Sequence, residues 1–229
     1  MGASPGLATG VSVLVLLLAA SNGGPVPVST ASPTVAVSEC RTISTPGHYE
    51  LTADLSAPGP ESCVRVLASD VHLDGNGHVL RTSGPTRSLV VVRNASNVTV
   101  RNLTTVGATA GVTYWNVSRG RIEAVTATAA GRMGIWVVDS AGVEVVRSRA
   151  AGNAVSGIRL DDTTGSSVTG VEATGNAAGV ALGRARANEV RDSSLRRNQI
   201  GIQLAGATGN TIAANTVEDN EFGMVLAVS

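Results

Sequence analysis

Carboxylates and tryptophans that recur at one spacing are the groups in this sequence equipped to do chemistry. Asp139 and Asp162 stand 23 residues apart, and Arg184 follows 22 later. In a chain that coils with that period, the two carboxylates would stack about 4.8 Å apart in backbone spacing. Such a pair suits the acid and base of a glycosidase, or the hard-cation ligands of a lyase. Trp115 and Trp136 would be platforms for sugar rings. Arg159, Asp161 and Gln203 would bond hydroxyls or carboxylates beside them. A plainer reading competes: Arg184 neutralises a stacked Asp pair at a solvated turn, and the tryptophans only cover a sheet surface.

The elements that must position these groups are copies of one unit. A Gly-apolar-x-apolar opening stands at Gly111, Gly134, Gly157, Gly179, Gly201 and Gly223, in steps of 23, 23, 22, 22 and 22 residues. A fixed period of that size marks a unit that buries its apolar side only by stacking on copies of itself. Within each copy Val, Ile and Leu alternate with polar residues, so the segments read as short strands. A unit this short has no room for two helices, and the closely spaced leucines of a leucine-rich repeat are absent. Stacked in register, Tyr114, Val137, Leu160, Leu182, Leu204 and Leu226 form one apolar column. Val112, Ile135, Ile158, Val180, Ile202 and Met224 form a second, and Val100, Ile122, Val145, Val168, Val190 and Ile212 a third. Asn153, Asn176, Asn198 and Asn220 form a turn column, where a buried amide can bond neighbouring backbone. The expected coil therefore has three short strands. Thr113, Trp115, Trp136, Arg159, Asp161, Ala181 and Gln203 point outward, and Asn116, Asp139, Asp162 and Arg184 follow at the turn.

The stretch GIQLAGATGNTIAANTVEDNEFGMVL resembles the repeat of NosD-type right-handed parallel β-helices, in the pectin-lyase-like superfamily. The likeness covers about Leu89 to Leu226. It implies an all-β, single-stranded right-handed parallel β-helix, here of about six to seven coils, and a groove along the outward sheet where polysaccharide lies. It also implies an accessory role in delivering copper to nitrous oxide reductase. Two departures argue against catalysis. Of the motifs that polygalacturonase-like members carry, only Asp161-Asp162 survives, and His48, His72 and His78 all precede the coils, leaving no imidazole there for acid-base work. For copper, the coils offer only Met133 and Met224, and the histidines show no ligand spacing, although His72 and His78 could meet across a turn.

Composition bounds the rest. At 229 residues, 43% hydrophobic and 2% aromatic, the chain can bury one long aliphatic core in a single domain. Seventeen basic and seventeen acidic residues cancel, and no lysine is present, so nothing points to nucleic acid, a polybasic membrane patch or lysine-based chemistry. Residues 1–20 read as a signal peptide built on the apolar run Gly10–Ala20, with cleavage between residues 20 and 31; an uncleaved anchor is the competitor, and the only route to a membrane. Residues 21–38 read as a flexible tether. Cys40 and Cys63, the only cysteines, form a disulfide in an exported chain or remain two reduced thiols. Residues 39–88 are expected to be the amino-terminal cap and first coil, with Asp74, Gly75, Asn76 and Gly77 as turn residues, and residues 89–229 the repeats. Asn94, Asn97, Asn102 and Asn116 head glycosylation sequons, or serve as ordinary turn formers. The last coil has no polar capping segment, so either the chain is a fragment or that coil docks on a second copy or another protein. The expectation is a secreted or surface β-helix protein without cofactor or metal, presenting a sheet face to glycan or protein. Its rivals are a polysaccharide lyase or glycoside hydrolase and a copper accessory protein.

Overall fold

The structure, a computed structural model, describes residues 33–82, 84 and 86–227. The leader and most of the proposed tether lie outside the described residues. Among the described residues all regular structure is β-strand, arranged as a parallel β-solenoid of about 8 coils of roughly 22 residues. One strand of each coil enters a 9-stranded sheet, and the others enter a 15-stranded sheet. The three-strand coil is seen cleanly at Met133–Val138, Glu144–Val146 and Arg149–Ala151.

The expected columns are the observed registers. Tyr114 pairs with Val137, Val137 with Leu160, Leu160 with Leu182, and so on to Leu226. Val100 pairs with Ile122, and that file continues through Val145, Val168 and Val190 to Ile212. These side chains fill the interior, where Ile135, Ile158, Val180 and Ile202 are fully buried. Tyr114 is the largest fully buried side chain of the stack. Its hydroxyl donates to the Val98 and Arg121 carbonyls, and burial pushes its phenol far above the ordinary tyrosine range. Along the last strand, Phe222–Ala227, the side chains of Phe222, Met224 and Leu226 are exposed.

The repeat glycines and asparagines belong together. Asn176 Nδ2 donates to Ala150 O and to Asn198 Oδ1, while Asn176 Oδ1 accepts from the Asn153 backbone and amide. A Cβ on Gly157 would stand 2.9 Å from Asn176 Nδ2 and 2.7 Å from Gly179 O, and one on Gly179 meets Asn198 and Gly201 in the same way. The glycines leave space for the amide ladder; those of this column do not have left-handed backbone. Left-handed residues sit instead at four turn columns. One of them runs Asn94, Asn116, Asp139, Asp162, Arg184 and Gly206, with φ between 48° and 59°, and Asn and Asp tolerate that region best among side-chain-bearing residues. Ser166, Asn188 and Asn210 build a second polar ladder that sequence inspection did not single out.

The amino-terminal region differs from expectation. Thr34–Val37, inside the stretch read as tether, is a strand paired with Gly47–Leu51. Within residues 39–88, expected as cap and first coil, Arg41–Ile43 and Val64–Val66 are successive rungs of the 9-stranded sheet, and Val64–Val66 pairs with the strand Ser88–Ser96. This is why the coils number about eight and not six or seven. Cys40 and Cys63 are disulfide-bonded, with Cα atoms 4.5 Å apart. The bond joins two consecutive coils beside the Arg41–Val64 pair.

Candidate functional site

Outward side chains of the 9-stranded sheet form two files, because successive residues of a strand face opposite ways. Arg65, Val91, Thr113, Trp136 and Arg159 follow one another in the first, continuing to Ala181 and Gln203. Arg93, Trp115, Val138 and Asp161 follow one another in the second, continuing to Gly183. The first coils of this face carry a concavity of about 260 Å³ whose lining includes Arg65, Arg87, Arg93, Thr113, Trp115 and Trp136. The Arg93 guanidinium lies over the Trp115 ring, 4.2 Å from its centroid, a cation–π contact that holds the cation in place. Ser88 and Thr113 share a hydrogen bond of 2.8 Å at the floor. Arg65 has a weak ion pair with Glu61 at 3.9 Å. Among the described residues neither Arg87 nor Arg93 has a carboxylate partner. The arginines of the 15-stranded sheet, by contrast, are laddered with glutamates, as in Arg149–Glu172 and Arg196–Glu218.

The residues singled out from sequence divide between this concavity and its surroundings. Trp115 and Trp136 line it. Arg159, Asp161 and Gln203 lie on the same sheet, further along, and are not part of its lining. Asp161 is 8% exposed; its Oδ2 accepts from Trp136 Nε1 at 2.9 Å and from Arg159 Nε at 2.7 Å. A Cβ on Gly183 would stand 2.3 Å from Asp161 Oδ1, so the next coil leaves the carboxylate its room. Asp139, Asp162 and Arg184 occupy the left-handed turn column. Arg184 donates to both Asp162 oxygens at 2.8 and 2.5 Å, and these bonds hold the Asp162 carboxyl below the usual carboxylate range. Asp139 is exposed, one coil away.

The sequon asparagines all have left-handed backbone. The amides of Asn97, Asn102 and Asn116 donate to Asp70, Asp74 and Asn94 on the preceding coil.

Donor groups for a soft or borderline metal are sparse. Among the described residues no three His, Cys, Asp or Glu side chains come together as a metal set. Met133 is buried. His72 does not meet His78, which bonds Asp54 at 3.1 Å. It stacks instead on His48, a register partner, with ring centroids 4.9 Å apart and planes 10° from parallel. That pair is the one arrangement of described residues with two imidazoles side by side, and imidazole suits copper.

Sequence inspection missed Arg65, Arg87, Arg93 and the His48–His72 stack. Arg93 was legible, 22 residues before Trp115 in the same file. Arg65 and His48 were not: Arg65 pairs with Val91 at a separation of 26 and His48 with His72 at 24, so a fixed period misplaces both.

Comparison with known proteins agrees with the geometry. Residues 69–229 match the family described as periplasmic copper-binding protein (NosD). No curated protein matches the chain in sequence. Among solved structures, the mannuronan C-5 epimerase AlgE6 A-module of Azotobacter vinelandii is similar at a TM-score of 0.59 and 17% identity, covering 85% of this chain and 68% of that one. A mutant of the periplasmic alginate epimerase AlgG is similar at 0.62 and 12%, covering 82% of this chain and 58% of that one. The Dettilon tailspike protein is similar at 0.58 and 11%, covering 75% and 39%. At these identities the likeness is one of fold, and this chain spans little more than half of AlgG.

Proposed function

The chain belongs to the family of periplasmic copper-binding proteins (NosD), and from its own geometry we propose an extracytoplasmic β-helix protein that binds an anionic glycan without turning it over. The observation that carries the reading is the Arg93–Trp115 stack beside Arg65, Arg87 and Trp136 in one concavity. Guanidinium groups pair carboxylates in two-pronged fashion, and indole faces stack on sugar rings. A uronate chain offers both features at every residue. The disulfide supports an oxidising compartment. The alginate epimerases among the similar structures support a uronate over a neutral sugar.

Binding without turnover is favoured because Asp161 and Asp162, the adjacent carboxylates of the Arg159–Asp162 stretch, are already engaged. Asp161 is bonded by Trp136 and Arg159, and Asp162 by Arg184. A lyase or hydrolase needs a carboxylate free to exchange a proton with substrate. Incubation of the purified protein with acidic and neutral polysaccharides, followed by assays for binding, reducing ends and unsaturated products, tests the reading. Binding of acidic chains without product is expected, weakened in Trp136→Ala. Product formation that is lost in an Asp139→Ala, Asp162→Ala double variant would establish the enzyme instead.

A second reading, copper handling, is favoured by the stacked His48 and His72 imidazoles together with the family membership. Copper retained in stoichiometric amount after dialysis supports it, and none retained removes it.

A further inference from the structure

The 15-stranded sheet has an outward face of its own, on which His48 and His72 stand on neighbouring strands, with Glu50 and Asp74 paired two residues further along the same strands. Both histidines are exposed. Neither imidazole donates or accepts a hydrogen bond among the described residues, so their ring nitrogens are uncommitted. This distinguishes them from His78, whose ring nitrogen bonds Asp54. The two rings are near-parallel, with centroids 4.9 Å apart. Two metal–imidazole bonds span at most about 4.2 Å, so a small swing of either ring brings both within reach of one ion.

Charged groups of both signs surround the pair. The nearest positive groups are already neutralised: Arg101 pairs with Asp74, and Arg121 with Glu123 and Glu144. Asp74 is further committed to the Asn76 backbone and the Asn102 amide. Glu50, by contrast, has no hydrogen-bond or ion-pair partner among the described residues. All of these except Asn76, Asn102 and Glu144 line a concavity of about 450 Å³ that also holds Thr34 and Thr99. His48 precedes residue 69, the first residue of the family match, and His72 lies within the match.

We propose that His48 and His72 together ligate one copper(II) ion per chain, with water completing the shell. The proposal rests on the copper-handling reading and assigns its ligands. Copper(II) stands highest in affinity among first-row divalent ions for nitrogen and oxygen donors. A site with two imidazoles and several waters is open on one side, which suits an ion that is passed on.

The test is titration of the full chain with copper(II) at neutral pH, followed by calorimetry and by electron paramagnetic resonance. One ion per chain is expected, with splitting from two equivalent imidazole nitrogens. His48→Gln and His72→Gln should each weaken binding at least about tenfold and remove one nitrogen coupling, while His78→Gln leaves both readouts unchanged. All three positions are exposed or half-buried, and thermal unfolding without copper confirms that each variant is folded. Copper bound with undiminished affinity by His48→Gln and His72→Gln would overturn the assignment while leaving copper handling in place. No copper bound by the unmodified chain would overturn both.

Discussion

Trp136 and Asp161, on adjacent coils, are joined by an indole N–H that donates to the carboxylate at 2.9 Å, and Arg159 donates to the same oxygen at 2.7 Å. A carboxylate this buried is tolerated because both donors reach it, and removing it leaves Arg159 without its partner. Asp161→Ala is expected to lower stability by about 2 kcal/mol, measured by urea denaturation, and to release the Trp136 ring, seen as a shift in tryptophan fluorescence. Unchanged stability would mean that the three groups are not coupled.

The amide ladder and the glycine column constrain each other. Asn176→Ala removes two donated bonds and strips the Asn153 backbone and amide of their acceptor, at an expected cost of about 3 kcal/mol. Asn220→Ala, at the half-buried end of the ladder, should cost about 1 kcal/mol. Gly179→Ala should cost about 2 kcal/mol by crowding Asn198 and Gly201 O. Denaturant midpoints that fail to separate Asn176→Ala from Asn220→Ala would contradict the ladder.

Burial pushes the His72 imidazole below its ordinary value; His48 and Arg101 act in the same direction, and Asp70 opposes them. Glu50, Asp74 and Arg121 share that face. With the folded-state value lowered, the unfolded chain takes up the proton first as pH falls. The stabilisation is complete above about pH 6.5 and is lost as pH drops from there through the folded value. In metal-free buffer, His72→Gln should flatten the stability profile below about pH 6.5. A slope identical to that of the unmodified chain would place the titration elsewhere.

Much of the fold was legible because a solenoid writes its contacts into a period. Leu160, Leu182 and Leu204 could be set over one another by counting, and the structure sets them there. Counting fails where coil length varies. Between Arg65 and Val91, and between His48 and His72, the separation departs from 22 or 23, so the first coils looked like a cap and their arginines and histidines went unplaced. The Asp139–Asp162–Arg184 column illustrates a different limit. Its spacing suggested chemistry, yet a left-handed turn that repeats on every coil selects Asn and Asp for backbone reasons alone.

The Cys40–Cys63 bond closes a separation of 23 residues between consecutive coils. Reduction is expected to cost about 3 kcal/mol through the freedom regained by the unfolded chain. Unfolding monitored with and without reductant measures this, and an unchanged midpoint would show that the first coils are held by their sheet pairing alone.

The affinity of the full chain for a defined oligouronate, compared with a variant in which Arg65, Arg87 and Arg93 are all replaced by Ala, tests the central reading most directly. The account expects binding to the unmodified chain that weakens with added salt and falls at least about tenfold in the triple variant, with thermal stability little changed. Equal affinity in the two proteins, or a preference for a neutral oligosaccharide, would contradict it.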